Sequence, residues 1–248
     1  MADTVHLRIK RQASPEEKPY WEEFEVPYVS GTNVIYCLME IQRNPVNAQG
    51  EKTTPVVWEQ SCLEEVCGAC SMVINGKARQ ACSALIDRLE QPITLEPMDK
   101  FPVVRDLMVD RSAMFENLKR VKAWIPIDGS YDLGPGPRMD DKTREFAYYI
   151  SRCMTCGVCL QVCPQYNDHS DYIGAYAVAQ VRRFNVHPTG AMNKDERLEA
   201  LLGEGGIEDC GMAQNCVKAC PKEIPLTTAI AQLNRDTEVY ALGHFFKR

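Results

Sequence analysis

Residues 62–82 read CLEEVCGACSMVINGKARQAC. Cys62, Cys67 and Cys70 stand at the spacing C-x4-C-x2-C, and Cys82 follows an Asn75-Gly76 step set between two apolar runs. Asn-Gly in that setting predicts a two-residue hairpin, so the fourth cysteine returns on a strand beside the loop that carries the other three. This is the plant-type ligand pattern for a [2Fe–2S] cluster. Such a site needs a tight loop that turns three thiolates toward one place. Gly68, Ala69 and Ser71 are small enough to let backbone amides approach sulfur. Structural zinc usually takes paired C-x2-C ligands, which this spacing does not match.

Around this stretch the sequence predicts a small sheet. VHLRI (5–9) and WEEFEV (21–26) alternate apolar and polar residues, as half-buried strands do. Val34, Leu38 and Ile41 lie at helical spacing after Thr32 or Asn33, either of which can cap a helix. PITLEP (92–97) supplies another short strand, and the whole predicts a compact sheet wrapped around one helix. Beyond Met114 the pattern changes. MFENLKRVKAWI (114–125), TREFAYYISR (143–152), YIGAYAVAQVRRF (172–184), KDERLEALL (194–202) and PLTTAIAQLNR (225–235) read as helices. PIDGSYDLGPGPRMDD (126–141) reads as a loop, and Met139 spoils its one approach to GxGxxG. No P-loop, Rossmann fingerprint, H-E-x-x-H or G-x-S-x-G occurs, so the sequence offers no organic active site.

Composition narrows the class. The 248 residues are 45% hydrophobic and 25% charged, as in soluble globular proteins. A net charge of −6 without a basic stripe gives no reason to expect nucleic acid. No apolar run reaches the roughly 18–20 residues that span a bilayer. The opening MADTVHLRIKRQ lacks the apolar region of a secretory signal, so the expectation is a cytoplasmic chain with reduced thiols. Of the twelve cysteines, eleven fall into three spaced groups, which suits metal ligation. Cys37, in the apolar stretch NVIYCLMEI, reads as a small buried hydrophobe.

The second group, CMTCGVCLQVCP (153–164), matches the bacterial ferredoxin run C-x2-C-x2-C-x3-C-P at every position. The third, CGMAQNCVKACP (210–221), matches it except that Ala213 stands where the second cysteine belongs. In such paired runs the last cysteine serves the other cluster. Cys153, Cys156, Cys159 and Cys220 are then the ligands of a [4Fe–4S] cubane. Cys163, Cys210 and Cys216 hold a second site with one corner unligated, which predicts [3Fe–4S]. Met212 and Gln214 are poor iron ligands and do not replace the missing thiolate.

This order of clusters resembles the iron–sulfur subunit of succinate dehydrogenase and fumarate reductase. SCLEEVCGACSMVING (61–76), PVVRDLMVDR (102–111), CMTCGVCLQVCP and CVKACP (216–221) look like segments of that family, and the resemblance covers nearly the whole chain. It implies an α+β fold: a β-grasp [2Fe–2S] ferredoxin domain over 1–110, then an all-α bacterial-ferredoxin-type domain over 111–248. It also implies a flavoprotein partner that oxidises succinate at FAD, and a membrane anchor where a quinone is reduced. The subunit would sit peripherally on the cytoplasmic side of the bacterial membrane and carry electrons in the tricarboxylic acid cycle and respiration. Ubiquinone-reducing members usually carry a Trp shortly after the CP of the second group and a His after the first Cys of the third. Here those places read CPQYNDHS (163–170) and CGMA (210–213), with Gly211 in place of the His. The chain is therefore more similar to menaquinone-linked members, whose anchors often bind haem b.

The remaining features read as structural. His6, His169, His187 and His244 have no paired ligand spacing, Lys119, Arg120 and Lys122 read as a solvated helix face, and GHFFKR (243–248) as a helix end. Competing readings are a fumarate reductase subunit working in reverse, a soluble multi-cluster ferredoxin, and a structural zinc protein.

Overall fold

The computed structural model describes residues 4–126 and 138–246. Most of the Gly/Pro-rich loop, Gly134 and Gly136 included, lies outside the described residues. The chain is α+β and divides into two compact units, Met1–Arg111 with Met154–Gln161, and Ser112–Cys153 with Val162–Arg248.

The first unit is built on strands β1 (Thr4–Arg11) and β2 (Tyr20–Pro27), helix α1 (Val34–Arg43), then β3 (Ser71–Ile74), β4 (Lys77–Gln80) and β5 (Ile93–Glu96). The strand order is β2-β1-β5-β3-β4. β1 pairs antiparallel with β2, Leu7 opposite Phe24, and parallel with β5, Leu7 opposite Ile93. β3 runs antiparallel to both β4 and β5. Leu7, Ile9, Ile93 and Leu95 are buried with Val34, Cys37, Leu38 and Ile41 of α1 in one apolar cluster, a sheet packed on one helix. Of the two candidate caps, Asn33 is the one used: its side chain accepts from the Tyr36 amide at 3.1 Å. The β3–β4 turn has Asn75 at φ 47° and Gly76 at φ 74°, the left-handed pair that matches strand twist in a tight hairpin. Asn75 also fixes β5, accepting from the Thr94 amide at 2.7 Å and donating to the Glu90 carbonyl at 2.8 Å.

A small hairpin, β6 (Val103–Arg105) and β7 (Met108–Val109), is tied to β1 by a buried ion pair. Arg11 Nε donates to Asp106 Oδ1 at 2.9 Å and Arg11 Nη1 to Glu22. Asp106 accepts in addition from the Val57 and Gln12 amides at 3.0 and 3.1 Å.

The second unit contains α2 (Ser112–Arg120) and α3 (Asp141–Ser151). Helix α4 (Val158–Gln161) belongs to the first unit, and α5 (Ala175–Val186), α6 (Lys194–Ala200), α7 (Asn215–Ala219) and α8 (Leu226–Phe245) return to the second. Residues 175–181 of α5 are buried without a break, and its alanines let neighbouring helices come close. The periodicity predicted α2 to run to Ile125, but it stops at Arg120 with Lys122 left-handed at φ 50°. The reason is Arg197, fully buried on α6, which donates to the carbonyls of Lys122 and Trp124 at 3.2 and 3.1 Å. Helix α8 is the converse case, since it extends ten residues beyond Arg235, where the sequence pattern ended. Among the described residues no helix is long and apolar enough to cross a membrane.

Candidate metal centres

The first cysteine group lies wholly in the first unit. Cys62, Cys67 and Cys70 occupy the loop before β3, and Cys82 sits in the short turn Ala81–Ser83 after β4. Leu63 (φ 61°), Glu65 (φ 54°) and Gly68 (φ 72°) are left-handed, and the winding turns backbone amides inward. The amides of Glu64, Val66 and Cys67 donate to Cys62 Sγ at 3.4, 3.3 and 3.3 Å, and that of Ala69 to Cys67 Sγ at 3.4 Å. These amides, Glu64 first, bring the Cys62 thiol down to about 7, so the loop is arranged to hold a thiolate. Burial, then the neighbouring Cys70, pushes Cys82 up to about 12. Iron held there would take the Cys82 thiolate directly and so overcome that cost. Ser83 Oγ donates to Glu65 at 2.6 Å and Ser71 Oγ to the Gly68 carbonyl at 2.9 Å, fastening the loop to the hairpin base.

Gly68 makes a closer approach than its small size alone suggested. A Cβ there would fall 2.8 Å from Cys156 Cβ and 2.8 Å from the Met154 carbonyl oxygen. The first loop and the start of the second run therefore touch within one unit. Arg111 holds both. Its Nη1 donates to the Gly68 carbonyl at 2.8 Å and the Thr155 carbonyl at 3.3 Å, and Nη2 pairs with Glu59 at 3.1 Å. Sequence reasoning noted the segment containing Arg111 but not this role. Of the residues read as cubane ligands, Cys156 and Cys159 lie in the first unit, Cys153 and Cys220 in the second. Thr155 (φ 51°) and Gly157 (φ 84°) repeat the left-handed winding of the first loop.

Cys163, Cys210 and Cys216, all in the second unit, line one pocket together with Ala213 and Tyr172. Met212 (φ 51°) and Gln214 (φ 62°) are left-handed on either side of Ala213. Met212 Sδ lies 3.9 Å from Cys210 Sγ. Asn215 Nδ2 donates to the Val162 carbonyl at 3.1 Å, tying the third run to the second. The space over Gly211 is taken by Gln165, whose Nε2 would stand 2.6 Å from any added Cβ. Burial, then the Cys163 and Cys210 charges, raises Cys216. The Tyr172 hydroxyl is buried in this pocket beside the Cys210 sulfur, with no oxygen or nitrogen partner among the described residues.

Among the described residues no three His, Cys, Asp or Glu side chains converge as they would on a single ion. A polynuclear cluster makes a different demand, since each thiolate binds a different iron. An all-thiol donor set, inward-facing amides and a buried hydroxyl beside the sulfurs all suit iron–sulfur ligation. Cys37 stands apart, fully buried under the sheet, with burial pushing its thiol up to about 12.

Comparison with known proteins agrees with this chemistry. Residues 6–116 match the 2Fe-2S iron-sulfur cluster binding domain, and residues 149–224 the 4Fe-4S dicluster domain. Over 243 residues the chain is 66% identical to the succinate dehydrogenase iron-sulfur subunit of Bacillus subtilis (strain 168), covering 98% of this chain and 96% of that one. It is 31% identical over 251 residues to the fumarate reductase iron-sulfur subunit of Mycobacterium tuberculosis (strain CDC 1551 / Oshkosh), again covering 98% and 96%. A chain of the Mycobacterium smegmatis Sdh1 complex in the apo form shares the fold, with a TM-score of 0.76 at 23% identity over 96% of each chain. Two thirds identity sustained across both cysteine-bearing halves decides the matter: the chain belongs to the family of succinate dehydrogenase and fumarate reductase iron–sulfur subunits.

Proposed function

We propose that this chain links a FAD-containing flavoprotein subunit to a haem b-containing membrane anchor, where the acceptor is a quinone of the menaquinone class. The chain is the iron–sulfur subunit of a succinate dehydrogenase, and it conducts electrons without binding succinate itself. When bound, the [2Fe–2S], [4Fe–4S] and [3Fe–4S] clusters supply single-electron conduction between a two-electron donor and the quinone. The assigned ligands are Cys62, Cys67, Cys70 and Cys82, then Cys153, Cys156, Cys159 and Cys220, then Cys163, Cys210 and Cys216. The amides around Cys62 hold its thiolate, and Arg111 keeps the first loop against the second run. The first domain, 1–110, is of β-grasp type, a reading supported by the mixed sheet packed on α1. The second, 111–248, is of all-α ferredoxin type. Gly211 under Gln165, in place of the ubiquinone-linked His, supports the menaquinone assignment. The complex lies on the cytoplasmic face of the membrane.

The pocket formed by Cys163, Cys210, Cys216 and Ala213 carries this reading, because it offers three thiols and a methyl group where a fourth ligand would stand. Succinate oxidation is favoured over fumarate reduction by the 66% identity, against 31% for a fumarate reductase subunit. The test is Ala213→Cys in the native complex. The new thiolate lets the site keep a fourth iron from cluster assembly and so form [4Fe–4S], whose different cluster type gives it a lower potential. The three-iron electron paramagnetic resonance signal of the air-oxidised complex is then lost. Quinone reduction slows, while succinate oxidation with an artificial acceptor at the flavin persists. A three-iron signal at full strength in the variant refutes the missing-ligand reading.

A further inference from the structure

The least expected group in the second unit is the hydroxyl of Tyr172. The residue is 1% exposed, and its oxygen has no oxygen or nitrogen partner among the described residues, the Cys210 sulfur being the group set beside it. Burying an unpaired hydroxyl is unfavourable, and a phenylalanine ring would fill nearly the same space without that cost. The oxygen is not turned toward a backbone carbonyl, as the Tyr176 hydroxyl is toward Met114 at 2.7 Å. It faces the pocket lined by Cys163, Cys210 and Cys216, with Cys210 its foremost neighbour. All four residues belong to one unit. Ala175, one residue into α5, lines the same pocket, so the start of that buried helix fixes the phenol's place.

A buried phenol beside Cys210 meets only a weak acceptor while the sulfur is a thiol, and a strong one once the sulfur carries charge. A phenol hydroxyl set against sulfur in this pocket is placed to act as the donor. Reduction by one electron increases the negative charge on the sulfurs, and hydrogen bonds to charged acceptors are roughly twice as strong as neutral ones. A donor at that place therefore stabilises the reduced state more than the oxidised one. Hydrogen bonds to the sulfurs are among the factors that set iron–sulfur potentials.

We propose that Tyr172 donates a hydrogen bond to sulfur of the cluster held by Cys163, Cys210 and Cys216, and thereby raises the potential of the last carrier before the quinone. The inference rests on the three-iron reading of that pocket. No proton leaves the phenol; the residue tunes the site through the bond it keeps.

The experiment is a potentiometric titration of the native complex, followed through the three-iron resonance, for the wild type and Tyr172→Phe. The expected result is a retained signal whose midpoint falls by about tenfold in the reduction equilibrium, which is 59 mV for one electron. The [2Fe–2S] and [4Fe–4S] midpoints stay unchanged. An unaltered three-iron midpoint in Y172F overturns the proposal. Where Y172F fails to assemble, 3,5-difluorotyrosine placed at position 172 decides. It keeps the shape and is a stronger donor, so the midpoint rises if the proposal holds; an unmoved midpoint overturns it. A wild-type complex without any three-iron signal defeats the underlying cluster reading as well, and is recognised before any substitution is made.

Discussion

Cys62 and Cys37 carry the same thiol in opposite surroundings. Three amides draw Cys62 down to about 7, whereas burial pushes Cys37 up to about 12. Between those values Cys62 is chiefly thiolate and Cys37 remains a thiol, and only the thiolate is nucleophilic. At pH 8, in the folded chain stripped of metal, iodoacetamide should therefore modify Cys62 well before Cys37, which should stay unmodified until denaturant is added. Peptide mass spectrometry over time measures this, and early labelling of Cys37 contradicts the structure. At this scale the sequence was informative where chemistry is written locally. The spacing of Cys62, Cys67 and Cys70 pointed to the [2Fe–2S] domain, and the apolar setting of Cys37 pointed to its burial in the core. Arg111 and Tyr172 were not legible. Their partners lie more than forty residues away in sequence or across a pocket, and such bonds leave no periodic trace.

Turns and caps were legible among the elements because single residues specify them. Asn75-Gly76 and Asn33 act through their own backbone preferences and short side chains. Helix ends set by tertiary capture were not: Arg197 halts the chain after α2 from a distance, and α8 continues past the point where its apolar pattern fades. The loop before β3 gives the prediction that belongs here. Gly68 combines φ 72° with a Cβ position 2.8 Å from backbone and side-chain atoms of residues 154 and 156. Gly68→Ala should destabilise the first unit by about 2 kcal/mol, from left-handed strain plus a contact that backbone cannot relieve. It shows as a lowered Tm and a reduced [2Fe–2S] resonance per flavin in the purified complex. Wild-type Tm and resonance would mean that the two loops are not in contact.

At the scale of the whole molecule, the ligands proposed for each cluster come from well-separated parts of the chain. Reciprocal exchange of last cysteines predicts that Cys220→Ser disturbs the [4Fe–4S] resonance and leaves the three-iron signal, although Cys216 is the nearer neighbour in sequence. Resonance spectra of the reduced and air-oxidised complex separate the two outcomes, and loss of the three-iron signal alone reverses the assignment. That strands dominate early and helices later was legible from residue patterning. That residues 154–161 pack with the earlier half was not, because the sequence on either side of them reads as helix of the later one.

That crossing has a consequence for how the protein is made. When a ribosome has released residues 1–111, the first unit still lacks Met154–Gln161. Gly157 has yet to arrive where Phe101 and Met98 receive it, at 2.9 and 3.2 Å from its would-be Cβ. Residues 112–153 must emerge first, so the earlier half waits, incomplete and with apolar surface uncovered, for a piece encoded inside the later one. Completion during synthesis thus follows a schedule written by topology rather than by order along the messenger. The nascent chain is open to chaperones over that interval.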